Sequence, residues 1–191
     1  MKTITAISLF LFAAVAQPAS NFALVAHSGA GDYSKMTPQT IEARRDGMVK
    51  AIRAGYAILA RGGTGLDAVE ATIRVMEDSG LYDAGRGAYY TKDGVPEMDA
   101  AIMDGRTLQA GSVASVKHIA NPIHLARLVM EKTPHVLLVA DGAVRLAKPG
   151  DLLLLPGKPL DDFDAPDVLG QDAEHLIELL AIALVCGPHR S

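Results

Sequence analysis

The chain has 191 residues, 49% of them hydrophobic, with 18 Lys and Arg against 22 Asp and Glu and a formal charge of −4. A length and apolar content of this order builds one core and one domain, and a mildly acidic balance without long charge runs excludes nucleic acid as a partner. The single cysteine, Cys186, cannot close an internal disulfide.

The amino terminus reads as an export leader. Met1-Lys2-Thr3 is a short positive segment, residues 4–15 are mostly apolar, and Ala14-Val15-Ala16 offers small residues for cleavage before Gln17. The apolar run is too short to span a membrane. A buried first helix is the competing reading, but Phe22 already opens a better strand and leaves that helix nothing to do. Residues 1–16 are therefore expected to be a signal peptide, and the mature protein periplasmic or secreted, without membrane association once the leader is removed.

Residues 22–26, Phe-Ala-Leu-Val-Ala, read as a buried strand entering the loop His27-Ser-Gly-Ala-Gly31. A dinucleotide fingerprint would want a third glycine at position 34, where Ser34 stands. His27 reads as a packed, hydrogen-bonded residue rather than a catalyst. Thr37-Pro38 starts a helix, with the hydroxyl as N-cap and proline in the first turn. Met48, Ile52, Gly55 and Leu59 fall on its apolar face. Gly62-Gly63 ends that helix, and Thr64 with Asp67 caps a second, whose stripe is Leu66, Val69, Ile73 and Met76.

Residues 79–116 are the most patterned stretch. In the loop Leu81-Tyr82-Asp83-Ala84-Gly85-Arg86-Gly87, two glycines flank an arginine, which no strand alternation explains. The backbone is expected to turn sharply there and to free carbonyls or amides. Asp93-Gly94 and Asp104-Gly105 are expected to supply the positive-φ residues of two hairpin turns. Between them, Met98, Ala100 and Ile102 recur at the period of a strand. Asp93 and Asp104 are accounted for as turn residues. Glu97 and Asp99 share a strand face without a histidine or arginine at a useful spacing, and read as structural. Residues 108–116 suit an inner strand, Asn121-Pro122 opens a helix that Pro134 stops, and residues 136–139 read as a buried strand.

Three of these motifs, YDAGRGA, EMDAAIMDG and AGSVASVKHIANPIHLARLVMEKTPHVLLV, resemble the α-chain of the isoaspartyl peptidase/L-asparaginase family, threonine-type amidohydrolases of the N-terminal-nucleophile class. The likeness runs colinearly over residues 22–142. It implies an α/β fold, the αββα four-layer sandwich, here incomplete on one side of its sheets. It implies a structural sodium ion, with no further cofactor, held by the backbone carbonyls of Met76, Glu77, Ser79, Tyr82, Ala84 and Arg86; an ordinary helix-to-strand connection is the alternative for that loop. Hard cations prefer such oxygen ligands. The family's HGGAG loop corresponds to residues 27–31, with Ser28 in place of its first glycine, and puts Gly29 near the site. Asp83 stands where the family usually has asparagine, keeping the shape but losing two donors and adding a charge. At that position it is expected to hydrogen-bond a protonated terminal amine.

In the family, self-cleavage frees a threonine at the start of the β-chain. Its amine acts as base for its own hydroxyl, which attacks an asparagine amide or a β-aspartyl peptide bond. No threonine follows Thr133 in this sequence. Residues 17–148 thus resemble the α-chain region alone, and residues 149–191 have no family counterpart. Within them, 149–167 read as a Pro- and Asp-rich linker and 173–185 as a short helix. A shifted or early-ended reading frame produces such a tail, as does a family variant with an altered carboxyl terminus. The implied partners are the missing β-chain half, a small amino acid or dipeptide substrate, and a second αβ unit in an (αβ)2 assembly. The expected function is asparaginase or isoaspartyl peptidase ancestry with no activity of this chain alone. The alternative is a non-catalytic periplasmic binding or interaction protein on the same scaffold.

Overall fold

The computed structural model describes residues 22–29, 33–147 and 183–186. In chain order they form β1 (Ala23–Ala26), a 3-10 turn at Tyr33–Lys35, α1 (Pro38–Ala60), α2 (Gly65–Ser79), a 3-10 turn at Gly85–Gly87, β2 (Met98–Met103), β3 (Ala110–Val116), α3 (Pro122–Lys132), β4 (Leu137–Val139), α4 (Ala140–Val144) and β5 (Ala183–Cys186). The expected signal peptide at 1–16 lies outside the described residues, as does nearly all of the tail. No helix among the described residues is long and apolar enough to cross a membrane.

The N-caps expected of Thr37 and Thr64 are both present. The Thr37 hydroxyl accepts from the Thr40 amide at 3.1 Å, and Thr64 from the Asp67 amide at 3.1 Å. Each satisfies one of the donors that a helix start leaves unpaired. α1 and α2 then form an antiparallel pair whose contact differs from the expected stripe. The deepest residues of α1 are Gly47, Ala51 and Gly55, one position off Met48 and Ile52, which are only half-buried. Small residues win that face because α2 comes so close. A methyl group at Gly55 would sit 2.1 Å from the Thr72 hydroxyl and 2.7 Å from the Ala68 carbonyl.

A three-stranded sheet has the order β2-β3-β4, the first pair antiparallel and the second parallel. α3 makes the crossover between β3 and β4 and lies on one sheet face. Ile102, Val113, Ile123, Leu125, Ala126 and Val129 are all at most 5% exposed in the core between them. Gly111 lets the helix down onto the strand, since an added Cβ would meet the Ala126 carbonyl at 2.3 Å. The other face carries Ala101, Met103, Ser112, Ala114, Leu137 and Val139 by register. There Met103, Leu137 and Val139 are at least half exposed, so β4 is not the buried strand its composition suggests.

Both hairpins depart from expectation. Around Gly94 (φ 74°) the strands shrink to one bridge, Tyr90 with Pro96, because Pro96 has no N–H to extend a ladder. In the β2–β3 connection the positive φ falls on Leu108 (61°), not on Gly105. The Asp104 carboxylate accepts from the Arg106 amide at 2.9 Å and the Thr107 hydroxyl at 3.0 Å, which winds a longer loop closed by Leu108 N–H to the Asp104 carbonyl at 2.8 Å. At the far end of the pair, the register shifts between Met98 and Ala100, so that Ala114 and Ser115 bulge opposite Asp99. Ser115 takes φ 53° there; Asp99 accepts its amide at 2.8 Å and Glu97 its hydroxyl at 2.9 Å. Glu97 also pairs with Lys117 at 2.8 Å. The two carboxylates are structural, as expected, and they build the bulge.

β1 is half-buried rather than buried, with Val25 62% exposed. It pairs antiparallel with β5, Ala23 opposite Cys186. The helix expected over 173–185 is corrected at its end, where residues 183–185 are strand. Ala-Leu-Val-Cys favours a pleated conformation once a strand edge is offered, and β1 offers one. The remainder of that helix and of the linker lies outside the described residues.

Candidate functional site

The loop joining α2 to β2 is fixed at its start by α2 itself. Met76 and Glu77 are 1% and 2% exposed, and Gly80 ends the helix in the left-handed conformation at φ 68°. Ser79 then donates its hydroxyl to the Met76 carbonyl at 2.7 Å and accepts from the Leu81 amide at 3.1 Å. Downstream, the Tyr82 carbonyl accepts from the Ala84 amide at 2.8 Å, and the Ala84 carbonyl from the Gly87 amide at 3.1 Å. The GRG segment is the 3-10 turn this produces, with the Arg86 side chain exposed.

Glycine is required at both ends of that turn. A Cβ on Gly85 (φ 56°) would lie 2.6 Å from the Glu77 carbonyl and 2.8 Å from that of Ala120. One on Gly87 would lie 2.1 Å from the Tyr82 carbonyl and 3.1 Å from that of Gly80. The turn is thus packed with its two glycines directly against the backbone carbonyls of Glu77, Gly80, Tyr82 and Ala120. The carbonyls of Met76, Tyr82 and Ala84 each accept one of these internal hydrogen bonds. Among the described residues no group of three or more His, Cys, Asp or Glu is placed to hold a metal.

Asp83 closes the same loop by accepting the Tyr89 amide at 2.8 Å. Burial pushes its carboxyl up to about 6, against the pull of the Tyr89 N–H and the Arg44 charge. Gly29 has φ 89°, and its amide turns back to His27 Nδ1 at 3.2 Å. His27 is therefore hydrogen-bonded within its own loop, as expected, but it is exposed rather than packed.

Two groups that sequence reasoning missed tie these parts together. The first is the Glu77 side chain. Its Oε1 accepts the Ile123 amide at 3.0 Å, capping α3 from a different helix. The Asn121 side chain, expected to cap α3, instead donates to Asp78 at 3.0 Å. Glu77 Oε2 is buried without a hydrogen-bond partner among the described residues. Burial raises this carboxyl to about 8, although the Ile123 N–H, the Asn121 amide and the Arg74 charge oppose it. The second is Arg44, which donates from Nη2 to the Ser28 carbonyl at 3.3 Å and lies 5.2 Å over the Tyr82 ring. Its Nε is buried and unpartnered among the described residues, a cost on the order of 1–3 kcal/mol. Helical spacing signals both: Arg44 is four residues before Met48, and Glu77 four after Ile73.

A family model described as asparaginase matches residues 20–160. An isoaspartyl peptidase/L-asparaginase of Danio rerio is 48% identical over 125 residues, 65% of this chain and 39% of that protein. A plant-type L-asparaginase of Pyrococcus horikoshii is 49% identical over 128 residues, 66% of this chain and 40% of that one. The isoaspartyl peptidase/L-asparaginase of Homo sapiens is 46% identical over 138 residues, 72% and 44% respectively. The chain thus spans about two fifths of the length of these relatives.

Proposed function

This chain belongs to the asparaginase family, and from that premise we propose that it is the α-chain portion of a hydrolase of asparagine side-chain amides or β-aspartyl peptide bonds. The observation that carries the reading is the open sheet face. α3 covers one side of β2-β3-β4, while Met103, Leu137 and Val139 on the other are at least half exposed. A sheet with one bare apolar face is half of a layered core. In this reading a β-chain portion supplies the second sheet of a four-layer αββα sandwich, and two such αβ units form an (αβ)2 assembly.

The nucleophile comes from that portion. No threonine follows Thr133 here, so the threonine whose free amine activates its own hydroxyl belongs outside these residues. That hydroxyl adds to the amide carbonyl, ammonia or the amine leaves, and water hydrolyses the ester. This chain contributes position. Asp83, held by the Tyr89 amide, accepts from the ammonium of the terminal threonine, while Gly29 shapes the loop near the cut. A structural sodium ion would be held by the carbonyls of Met76, Glu77, Ser79, Tyr82, Ala84 and Arg86, stiffening the loop that carries Asp83. We place the protein in the periplasm or outside the cell on the strength of residues 1–16.

Ammonia release from L-asparagine and cleavage of a β-aspartyl dipeptide test this reading. The 191-residue chain alone should release none, and adding a family β-chain that begins with threonine should restore turnover. Turnover or self-cleavage by the chain alone would overturn the assignment of the nucleophile. Failure of the β-chain to bind would overturn the role given to the open face.

A further inference from the structure

Arg44 on α1 reaches two segments that lie 16 and 38 residues away in sequence. Nη2 donates to the Ser28 carbonyl at 3.3 Å, the guanidinium carbon sits 5.2 Å over the Tyr82 ring, and the Arg44 carbonyl accepts the Tyr82 hydroxyl. We infer that Arg44 is a positioning residue that ties loop 27–29 to the segment of Tyr82 and Asp83, holding Gly29 and Asp83 in one frame. The purpose of that frame rests on the proposed hydrolase reading, but the tie itself does not.

The shape of the group explains why one side chain serves both segments. A guanidinium donates in its plane and stacks through its face at the same time, whereas a lysine ammonium is a hydrated point charge. The bond from the Gly29 amide to His27 runs inside loop 27–29. Arg44 supplies an anchor to α1. Its charge also favours the ionised form of Asp83, so the same side chain steadies the carboxylate next to the ring it covers. Gly47, one turn on, keeps the ring close: a Cβ there would lie 2.8 Å from the Tyr82 hydroxyl.

Amide hydrogen exchange on the full chain reads the tie without requiring catalysis. Arg44→Met should speed exchange about tenfold both at Ser28 and Gly29 and at residues 83–89, while amides in β3 keep their protection. Tyr82→Leu should also speed exchange at Ser28 and Gly29, through the loss of the surface on which Arg44 rests. The double variant should then be no faster there than Arg44→Met alone, the non-additivity that marks a shared contact. Arg44→Lys should recover less than half of the protection. If Arg44→Met unfolds the chain, Arg44→Gln keeps a donor for Ser28 without the stack, and should loosen residues 83–89 more than 27–29. Unchanged exchange in both segments, or additive effects in the double variant, would overturn the inference. Neither result bears on whether a β-chain restores hydrolysis, so this tie and the hydrolase reading fail separately.

Discussion

Replacing Glu77 with glutamine should remove a pH dependence that the fold carries in its core. The carboxyl is 2% exposed and burial raises it from 4.5 to about 8, so the folded chain holds this proton more tightly than the unfolded one does. Stability from this group is therefore fully present below pH 4.5 and is lost as pH rises toward 8. Each pH unit in that window is worth about 1.4 kcal/mol, so between pH 5 and 7.5 the loss is roughly 3 kcal/mol. Glu77→Gln keeps an oxygen for the Ile123 amide and has nothing to ionise. Urea unfolding of both proteins at the two pH values measures the difference of differences, which cancels Asp83 and other groups titrating alike in each. The variant should gain roughly 3 kcal/mol on the parent between pH 5 and 7.5. Parallel stabilities would show that Glu77 does not titrate in this window. A parent that gains on the variant as pH rises would show a partner holding the carboxylate ionised, and the reasoning from burial would be refuted.

Gly55→Ala removes a helix-weakening glycine, worth up to about 1 kcal/mol, yet should destabilise by at least about 1 kcal/mol net, because the methyl would sit 2.1 Å from the Thr72 hydroxyl. Thermal unfolding decides it, and a more stable variant would mean that α1 and α2 can slide apart cheaply. Arg127 bonds Asp67 and Glu70 at 2.8 Å and Glu131 at 2.7 Å with its side chain 19% exposed, so Arg127→Met should cost about 2 kcal/mol, discounted from the value for a fully buried network. A loss under about 0.5 kcal/mol in urea would place that cluster with ordinary surface pairs.

What was legible in the sequence was local. Thr37 and Thr64 act on groups within a few residues, so the chain order of the elements from α1 to β4 follows from pattern. The misses are tertiary. Asn121 has the right chemistry for a cap, but Glu77, 46 residues away, takes the Ile123 amide. Gly105 has the right freedom for a turn, but the Asp104 carboxylate winds the loop so that Leu108 carries the positive φ. The alternation of β2 is correct, whereas burial of β4 depends on a layer that the strand cannot specify by itself. In the candidate site, Gly85 and Gly87 announced the turn, but the use of Asp83 to hold Tyr89 and of Arg44 to bridge two segments needed coordinates.

The pairing of β1 with β5 has a consequence for the life of the nascent chain. Ala23 meets Cys186 across about 160 residues, whereas the β2–β3 hairpin and the α1–α2 pair close over short loops. Those local units can form as soon as they emerge, but among the described residues β1 pairs only with β5 and waits until residues 183–186 are made. At about 5–20 residues per second, that interval is roughly ten to thirty seconds. Throughout it Val25 and the bare backbone of β1 remain available to another strand, the kind of edge on which chains join one another. Slowing synthesis between β1 and β5 should therefore lengthen that exposure.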